Sequence, residues 1–338
     1  MRFKAFLALI LALILSASLV ACAPAAPSTD GTDTSGASSD GGQTFQGADV
    51  RVAALSGSTG LGMAKLMNDA QEKTTVNRYT FEVFDAPEVL LPEITSNKFD
   101  IAALPTNVAA KLYNVHNGEY QMLAVNTLGV LYLLEVGTQT VKSVADLSGK
   151  TVYTTGQGST PEYALKYILE KNGVTDCEIV FETNADLVAA HGDEGALLML
   201  PEPKVTAVKG KLGNVTVALD MTAEWNKVCD TPMVQGCVIV NKKFAQANPQ
   251  AVQQFLTEYE ASINYVKQNV ADASELVAKF KIIPQAALAA KAIPNSNLTF
   301  LAGAEMKAAL VPFYQVLHQA NPSSVGGKLP ETDFYYGT

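Results

Sequence analysis

Three short segments set hydroxyl or amide side chains where an apolar run gives way to a helical pattern. They are Ser56-Gly57-Ser58-Thr59-Gly60, Thr106-Asn107 and Gly158-Ser159-Thr160. A helix start leaves up to about four backbone N–H groups without an intrahelical partner. Those donors, with the helix dipole, hold anionic or polar oxygens without an arginine. N-capping by Ser and Thr would use the same residues. Three such ends after the carboxyl ends of parallel strands point instead to a ligand, because open α/β sheets bind there. The first segment lacks the Gly-Lys-Ser/Thr of a P-loop, and its glycine spacing is not GxGxxG, so a nucleotide site is not expected.

Glu202 stands between Pro201 and Pro203 after an apolar run, where its carboxylate can accept from a ligand N–H or anchor a hinge. His191-Gly192-Asp193-Glu194 reads as a solvated turn. The other two histidines, His116 and His318, have no motif context, and no Ser-His-Asp, Cys-His or paired-carboxylate set assembles from them. Neither CxxC nor HExxH spacing occurs, so neither a metal nor a cofactor is expected. Only three arginines are present, Arg2, Arg51 and Arg78. Arginine is the usual bidentate partner of carboxylate, sulfonate or phosphate. Its scarcity favours a small polar or weakly anionic ligand over a tightly clamped one.

The elements that must position these residues alternate. Strands are expected over 49–55, 79–83, 99–104, 121–125, 151–153, 179–182, 195–200, 217–219 and 238–240. Helices are expected over 63–72, 86–96, 108–113, 162–172 and 184–190, and the chain from 244 onward reads as mostly helical. This rhythm indicates α/β architecture with parallel pairing. With 338 residues, about two domains are expected. The chain leaves the first near Leu134 and returns near Cys237. Lobe 1 is therefore expected at 49–134 and 238–338, and an inserted lobe 2 at 135–237. Cys229 and Cys237 are close in an exported chain and are expected to form a disulfide, leaving Cys177 buried and free.

The first 48 residues read as address and tether. Arg2 and Lys4 precede an apolar run from Ala5 to Val20, and no acid occurs in residues 1–21, the pattern of a secretory signal. Leu19-Val20-Ala21-Cys22 resembles the lipobox of bacterial lipoproteins, which implies cleavage before Cys22 and lipidation of its thiol. Diacylation supplies the two chains that stable anchoring needs. Residues 23–47 are almost all Gly, Ser, Thr, Ala, Pro or Asp, a flexible tether reaching roughly 25–30 Å. Removing residues 1–21 changes Lys+Arg from 24 to 22 against 33 Asp+Glu, so the net charge moves from -9 to -11. Such an acidic chain is no nucleic-acid binder.

Asp100-Ile101-Ala102-Ala103-Leu104-Pro105-Thr106-Asn107 resembles the "DIA-x-x-P-x-N" segment of the nitrate/taurine/sulfonate-type solute-binding proteins of ABC transporters, a superfamily that includes thiamine-precursor binders. Asp146-Leu147-Ser148-Gly149-Lys150 resembles their "DL-x-GK" turn. Gly158 to Leu165 is similar to their second-domain ligand loop and helix, and Leu200-Pro201-Glu202-Pro203 to their "L-x-EP" element. The resemblance spans 49–338. It implies a type II periplasmic-binding-protein fold, two α/β lobes joined by two hinge crossings, with Gly129 to Tyr132 near the hinge. Carried over residue by residue, it implies ligand contacts from Ser58, Thr59, Thr106, Asn107, Ser159, Thr160 and Glu202. The implied activity is not enzymatic. It is capture of a sulfonate-, nitrate- or heteroaromatic-type solute by hinge closure, outside the cytoplasm, for an ABC permease and its ATPase. The protein is expected as a lipid-anchored monomer. The alternatives are a fold-related enzyme of pyrimidine or menaquinone precursor metabolism and a ligand-sensing surface lipoprotein.

Overall fold

The computed structural model describes residues 45–338. The signal segment, Cys22 and the tether up to residue 44 lie outside the described residues. Eleven strands follow in chain order: β1 Asp49–Leu55, β2 Arg78–Phe84, β3 Ile101–Pro105, β4 Tyr120–Leu128, β5 Leu131–Val136 and β6 Thr151–Thr154. The remainder are β7 Glu178–Phe181, β8 Leu197–Pro201, β9 Val215–Asp220, β10 Val234–Asn241 and β11 Leu298–Ala302.

They build two sheets. The first runs β11-β4-β10-β3-β1-β2 and the second β7-β6-β8-β5-β9. In each, three neighbours are parallel: β2, β1 and β3 in the first, β7, β6 and β8 in the second. Antiparallel strands then extend both sheets. Residue type follows position. The β2 edge alternates in exposure along Arg78-Tyr79-Thr80-Phe81-Glu82. Central β3 is buried from Ile101 to Leu104, as expected of a strand covered on both faces. No helix among the described residues is long and apolar enough to cross a membrane.

The chain passes from the first sheet to the second between Leu128 and Leu131, and returns between Asp220 and Val234. The expected boundary at 134/135 falls inside β5. From Leu128 to Val136 the chain is nearly all apolar, and hydrophobicity does not say which sheet a buried strand joins. Backbone pairing decides it: Leu131 to Glu135 pair with Pro201 to Leu197 of β8. The return is likewise earlier than residue 238. Cys237 lies within β10, opposite Leu104 of β3 and Val125 of β4.

That placement removes the expected disulfide. Cys237 is fully buried and its thiol lies 3.5 Å from the Leu104 carbonyl, whereas Cys229 follows the helix Met221–Val228 and lies 3.4 Å from Thr231 Oγ1. Both are free thiols, as is Cys177, which is part-exposed rather than buried. Two helices, Lys204–Leu212 and Met221–Val228, and the strand β11 were not anticipated from sequence. β11 is a five-residue edge strand with an irregular register on β4, too short to show a period.

Candidate functional site

Four strand ends converge. After β1, Ser56 N–H donates to the Phe84 carbonyl and Gly57 N–H to the Ile282 carbonyl, at 2.8 and 2.9 Å. Gly57 has φ 85°, which only glycine adopts at little cost. Gly60 passes so near β1 that a Cβ there would sit 2.1 Å from the Leu55 carbonyl oxygen. After β3 the helix Thr106–Val115 begins at once. After β6 the chain turns through Gly156 and Gly158 into the helix Thr160–Lys171. After β8 comes Glu202, ahead of the helix Lys204–Leu212.

All four ends line one cavity of about 580 Å³. Ser58, Thr59, Asn107, Ser159, Thr160 and Glu202 are brought together on its wall. Thr106 is not among the lining residues. It is fully buried, and its backbone carbonyl accepts from Tyr314 Oη at 2.9 Å. The spacing along Thr106-Asn107 is the reason: consecutive residues on a helix start face different ways, and Asn107 takes the cavity side.

Two contacts on this wall join the two sheets' halves. Ser58 Oγ donates to the Glu202 carbonyl at 2.9 Å, and Thr160 Oγ1 donates weakly to Asn107 Oδ1 at 3.4 Å. Ser58, Asn107, Thr160 and Glu202 are each at least nine-tenths buried. Behind the first loop, Asn126 Nδ2 donates to the Thr59 carbonyl at 3.0 Å and Thr127 Oγ1 lies 3.5 Å from that of Ser58. Asn107 Nδ2 has no hydrogen-bond partner among the described residues, so a donor is left on the wall.

Glu202 is tied at every polar group. Its N–H donates to the Val130 carbonyl at 2.9 Å, and its carboxylate accepts from Thr206 Oγ1 at 2.8 Å and Thr206 N–H at 3.2 Å. Burial pushes its pKa up, only partly offset by those two donors. The carboxylate thus serves first as a cap for the helix it precedes.

Apart from the buried Glu202, charge lies at the rim, where Asp85, Glu88, Lys204 and Lys281 are exposed. No arginine among the described residues reaches the cavity. Arg51 is held by Asp100, with Nε and Nη2 at 2.9 and 2.5 Å, and Arg78 by Asp49 at 2.7 Å. The apolar part of the wall is aliphatic: Leu55, Val108, Val130, Ile282, Ile283 and Leu288, with several prolines and no aromatic ring. Among the described residues no group of three or more His, Cys, Asp or Glu could hold a metal.

Sequence reasoning missed the wall supplied by Lys281, Ile282, Ile283, Pro284 and Leu288, and also Gln235. The available signal was Ile-Ile-Pro between two helical patterns, with Lys281 before it at φ 59°. Gln235 Oε1 accepts from Val130 N–H, which ties the two crossings to each other.

Comparison with known proteins gives one family and one fold. The family model described as menaquinone biosynthesis matches residues 61–319. No curated protein matches the chain. Among solved structures, an ABC transporter protein from Parabacteroides distasonis superposes with a TM-score of 0.71 at 21% identity, covering 85% of this chain and 98% of that one. The periplasmic aliphatic sulphonate binding protein SsuA from Escherichia coli gives 0.67 at 16% identity, over 84% and 92%. The alkanesulfonate-binding protein SsuA from Xanthomonas axonopodis pv. citri, bound to MOPS, gives 0.61 at 15% identity, over 84% and 94%. At these identities the likeness is one of fold: two mixed α/β sheets in the type II periplasmic-binding arrangement.

Proposed function

The chain belongs to the menaquinone-biosynthesis family; from the form of its cavity and the fold it shares with periplasmic sulfonate-binding proteins we propose that it is a solute-binding protein. It captures a small polar or weakly anionic organic solute between two lobes and hands it to an ABC importer. The observation that carries this reading is the cavity walled by strand ends of both sheets, with hydroxyls, amides and the buried Glu202 inside and the other charged side chains at the rim. The lobes meet at the crossings 128–131 and 220–234.

Ser58, Thr59, Asn107, Ser159 and Thr160 contact the solute. Asn107 Nδ2 and the starts of the helices Thr160–Lys171 and Thr106–Val115 offer donors to its oxygens. The aliphatic wall holds its apolar part, and Glu202 acts as an inter-lobe anchor. Lipidation at Cys22 after removal of residues 1–21 tethers this monomer outside the cytoplasm, beside a permease and its ATPase.

Isothermal titration with a panel of alkanesulfonates, nitrate, pyrimidines and riboflavin-like compounds tests the reading. Binding that weakens at least tenfold in Asn107→Leu and Thr160→Val supports it; silence across the panel with a folded protein counts against it. The family description favours a second reading, an enzyme acting on a precursor within the same cavity. The same titrations separate the two: a solute recovered chemically unchanged is cargo, and one recovered as product makes the protein an enzyme. For the anchor, a Cys22→Ser chain that stays in the membrane fraction would sink the lipoprotein assignment.

A further inference from the structure

The helices Pro87–Thr95, Thr106–Val115, Thr160–Lys171 and Lys204–Leu212 each put first-turn residues on the cavity wall. A helix start carries partial positive charge and is the natural seat of an anion where arginine is lacking. Three of these starts already hold a carboxylate of the chain itself. Glu88 lies in the first turn of Pro87–Thr95, whose leading proline has no N–H to give. Glu162 Oε2 accepts from Gly158 N–H, just ahead of its own helix, at 2.6 Å, and its Oε1 takes Lys166 Nζ at 2.5 Å. Glu202 accepts from the N–H and the hydroxyl of Thr206, on the helix that follows it. The start of Thr106–Val115 is the one left open. Its first turn holds no acid, and the buried Asn107 carries an Nδ2 with no partner among the described residues.

The charge inside the wall is therefore that of Glu202. Among the described residues it is in no ion pair, and Lys209 on the following helix attracts it only from a distance. At the rim Asp85 and Glu88 stand against Lys204 and Lys281, so the rim adds no net charge. A sulfonate or carboxylate drawn inside would lose its water and meet a buried carboxylate with no fixed counter-charge, which is strongly unfavourable. A carbonyl or hydroxyl oxygen needs only neutral donors, and Asn107 Nδ2 is one. So is Gln235 Nε2, free because Val130 N–H engages the other end of that amide. The rest of the wall is aliphatic and offers no ring face for a heteroaromatic solute to stack on.

We infer that the cavity is built for an uncharged solute, an aliphatic body carrying amide, ester or hydroxyl oxygens, with a carbonyl oxygen seated on Asn107 Nδ2. This rests on the solute-binding reading and narrows it. Anions are turned away because Glu88, Glu162 and Glu202 occupy the helix starts that would receive them.

Calorimetric titration of the processed chain with octanamide, octane-1-sulfonate and octylamine tests the inference, since the three share one alkyl chain and differ in head-group charge. Octanamide should bind about tenfold or more tighter than either ion. Glu202→Gln trades the carboxylate for a neutral amide of similar shape, and should narrow the gap between octanamide and octane-1-sulfonate by about tenfold. Glu88→Gln, at an exposed rim position, should narrow it in the same direction and serves if Glu202→Gln does not fold. A gap that neither folded variant narrows overturns the role of the carboxylates. Octane-1-sulfonate binding as tightly as octanamide overturns the inference and leaves the solute-binding reading standing. Octylamine binding tightest does the same, as does capture of nitrate or a pyrimidine with silence from octanamide. Silence from these probes and from the whole wider panel, with a folded protein, removes the solute-binding reading and the inference with it.

Discussion

The hydroxyl of Ser58 donates to the backbone carbonyl of Glu202 at 2.9 Å, a bond between residues 144 positions apart that joins the end of β1 to the end of β8. Both residues are buried and both line the cavity. Ser58→Ala should lower stability by roughly 0.5–1.5 kcal/mol, the net value of such a bond. Urea unfolding monitored at Trp225 reads it directly. An unchanged midpoint would mean that water replaces Ser58 without loss.

Gly129 sits where the two crossings touch. A Cβ there would lie 2.2 Å from Thr222 Oγ1 and 3.0 Å from Thr222 Cβ. Gly129→Ala is expected to cost about 1–3 kcal/mol by overpacking, and adding Thr222→Ala should return part of it. Two independent, additive losses in that double-mutant cycle would show that the contact is not what resists the alanine.

Acid should weaken the protein through Glu135. Burial alone would raise its pKa. However, Thr138 Oγ1, Thr140 Oγ1, Thr140 N–H and Val141 N–H all donate to the carboxylate at 2.6–3.1 Å and bring it to about 2. A folded value below the unfolded 4.5 means stability that is complete above pH 4.5 and drains away as pH falls toward 2. The size is roughly 3 kcal/mol. In Glu135→Gln, stability should be lower at pH 7 and fall less steeply from pH 5 to 2, the remaining slope coming from other carboxylates held low, Asp146 and Asp333 among them; a parental acid limb in that variant would refute the assignment.

Glu202 should show the opposite sign. Its folded pKa is raised, so the ionised form carries a cost at neutral pH that is relieved as pH falls through the raised value. Glu202→Gln is therefore expected to keep or raise the urea midpoint at pH 7. A marked loss would indicate that the charge itself holds Thr206.

Thiol reactivity checks the cysteine assignment. Under native conditions Cys177 and Cys229 should react with an aromatic disulfide reagent, and Cys237 only after unfolding, because burial pushes its thiol pKa up and seals it in β10. A mass 2 Da below the reduced chain after mild oxidation, mapped to a Cys229–Cys237 peptide pair, would contradict the register of β10.

The residues that meet at the cavity were legible wherever a local pattern marked them. Ser58, Asn107 and Thr160 each follow an apolar strand and open a helix, and those signals span only a few residues. Lys281 to Pro284 and Gln235 carried no such mark, since they reach the wall through the packing of long helices and the pairing of β10. Thr106 was indistinguishable from Asn107 until the helix phase was known. Cys229 and Cys237 looked like partners because sequence separation is short, and strand register drew them apart.

By itself, the order of residues determined the alternation of strands and helices, the strand ends that carry hydroxyls, and the want of arginine. Both described arginines are held by Asp49 and Asp100, away from the cavity. These are local or compositional facts, and local chemistry suffices to read them. Tertiary structure alone decided which sheet β5 joins, which side of Thr106-Asn107 faces the cavity, and that Trp225 meets Phe313. Each depends on contacts between residues far apart in the chain, and such contacts are chosen by packing the whole core at once.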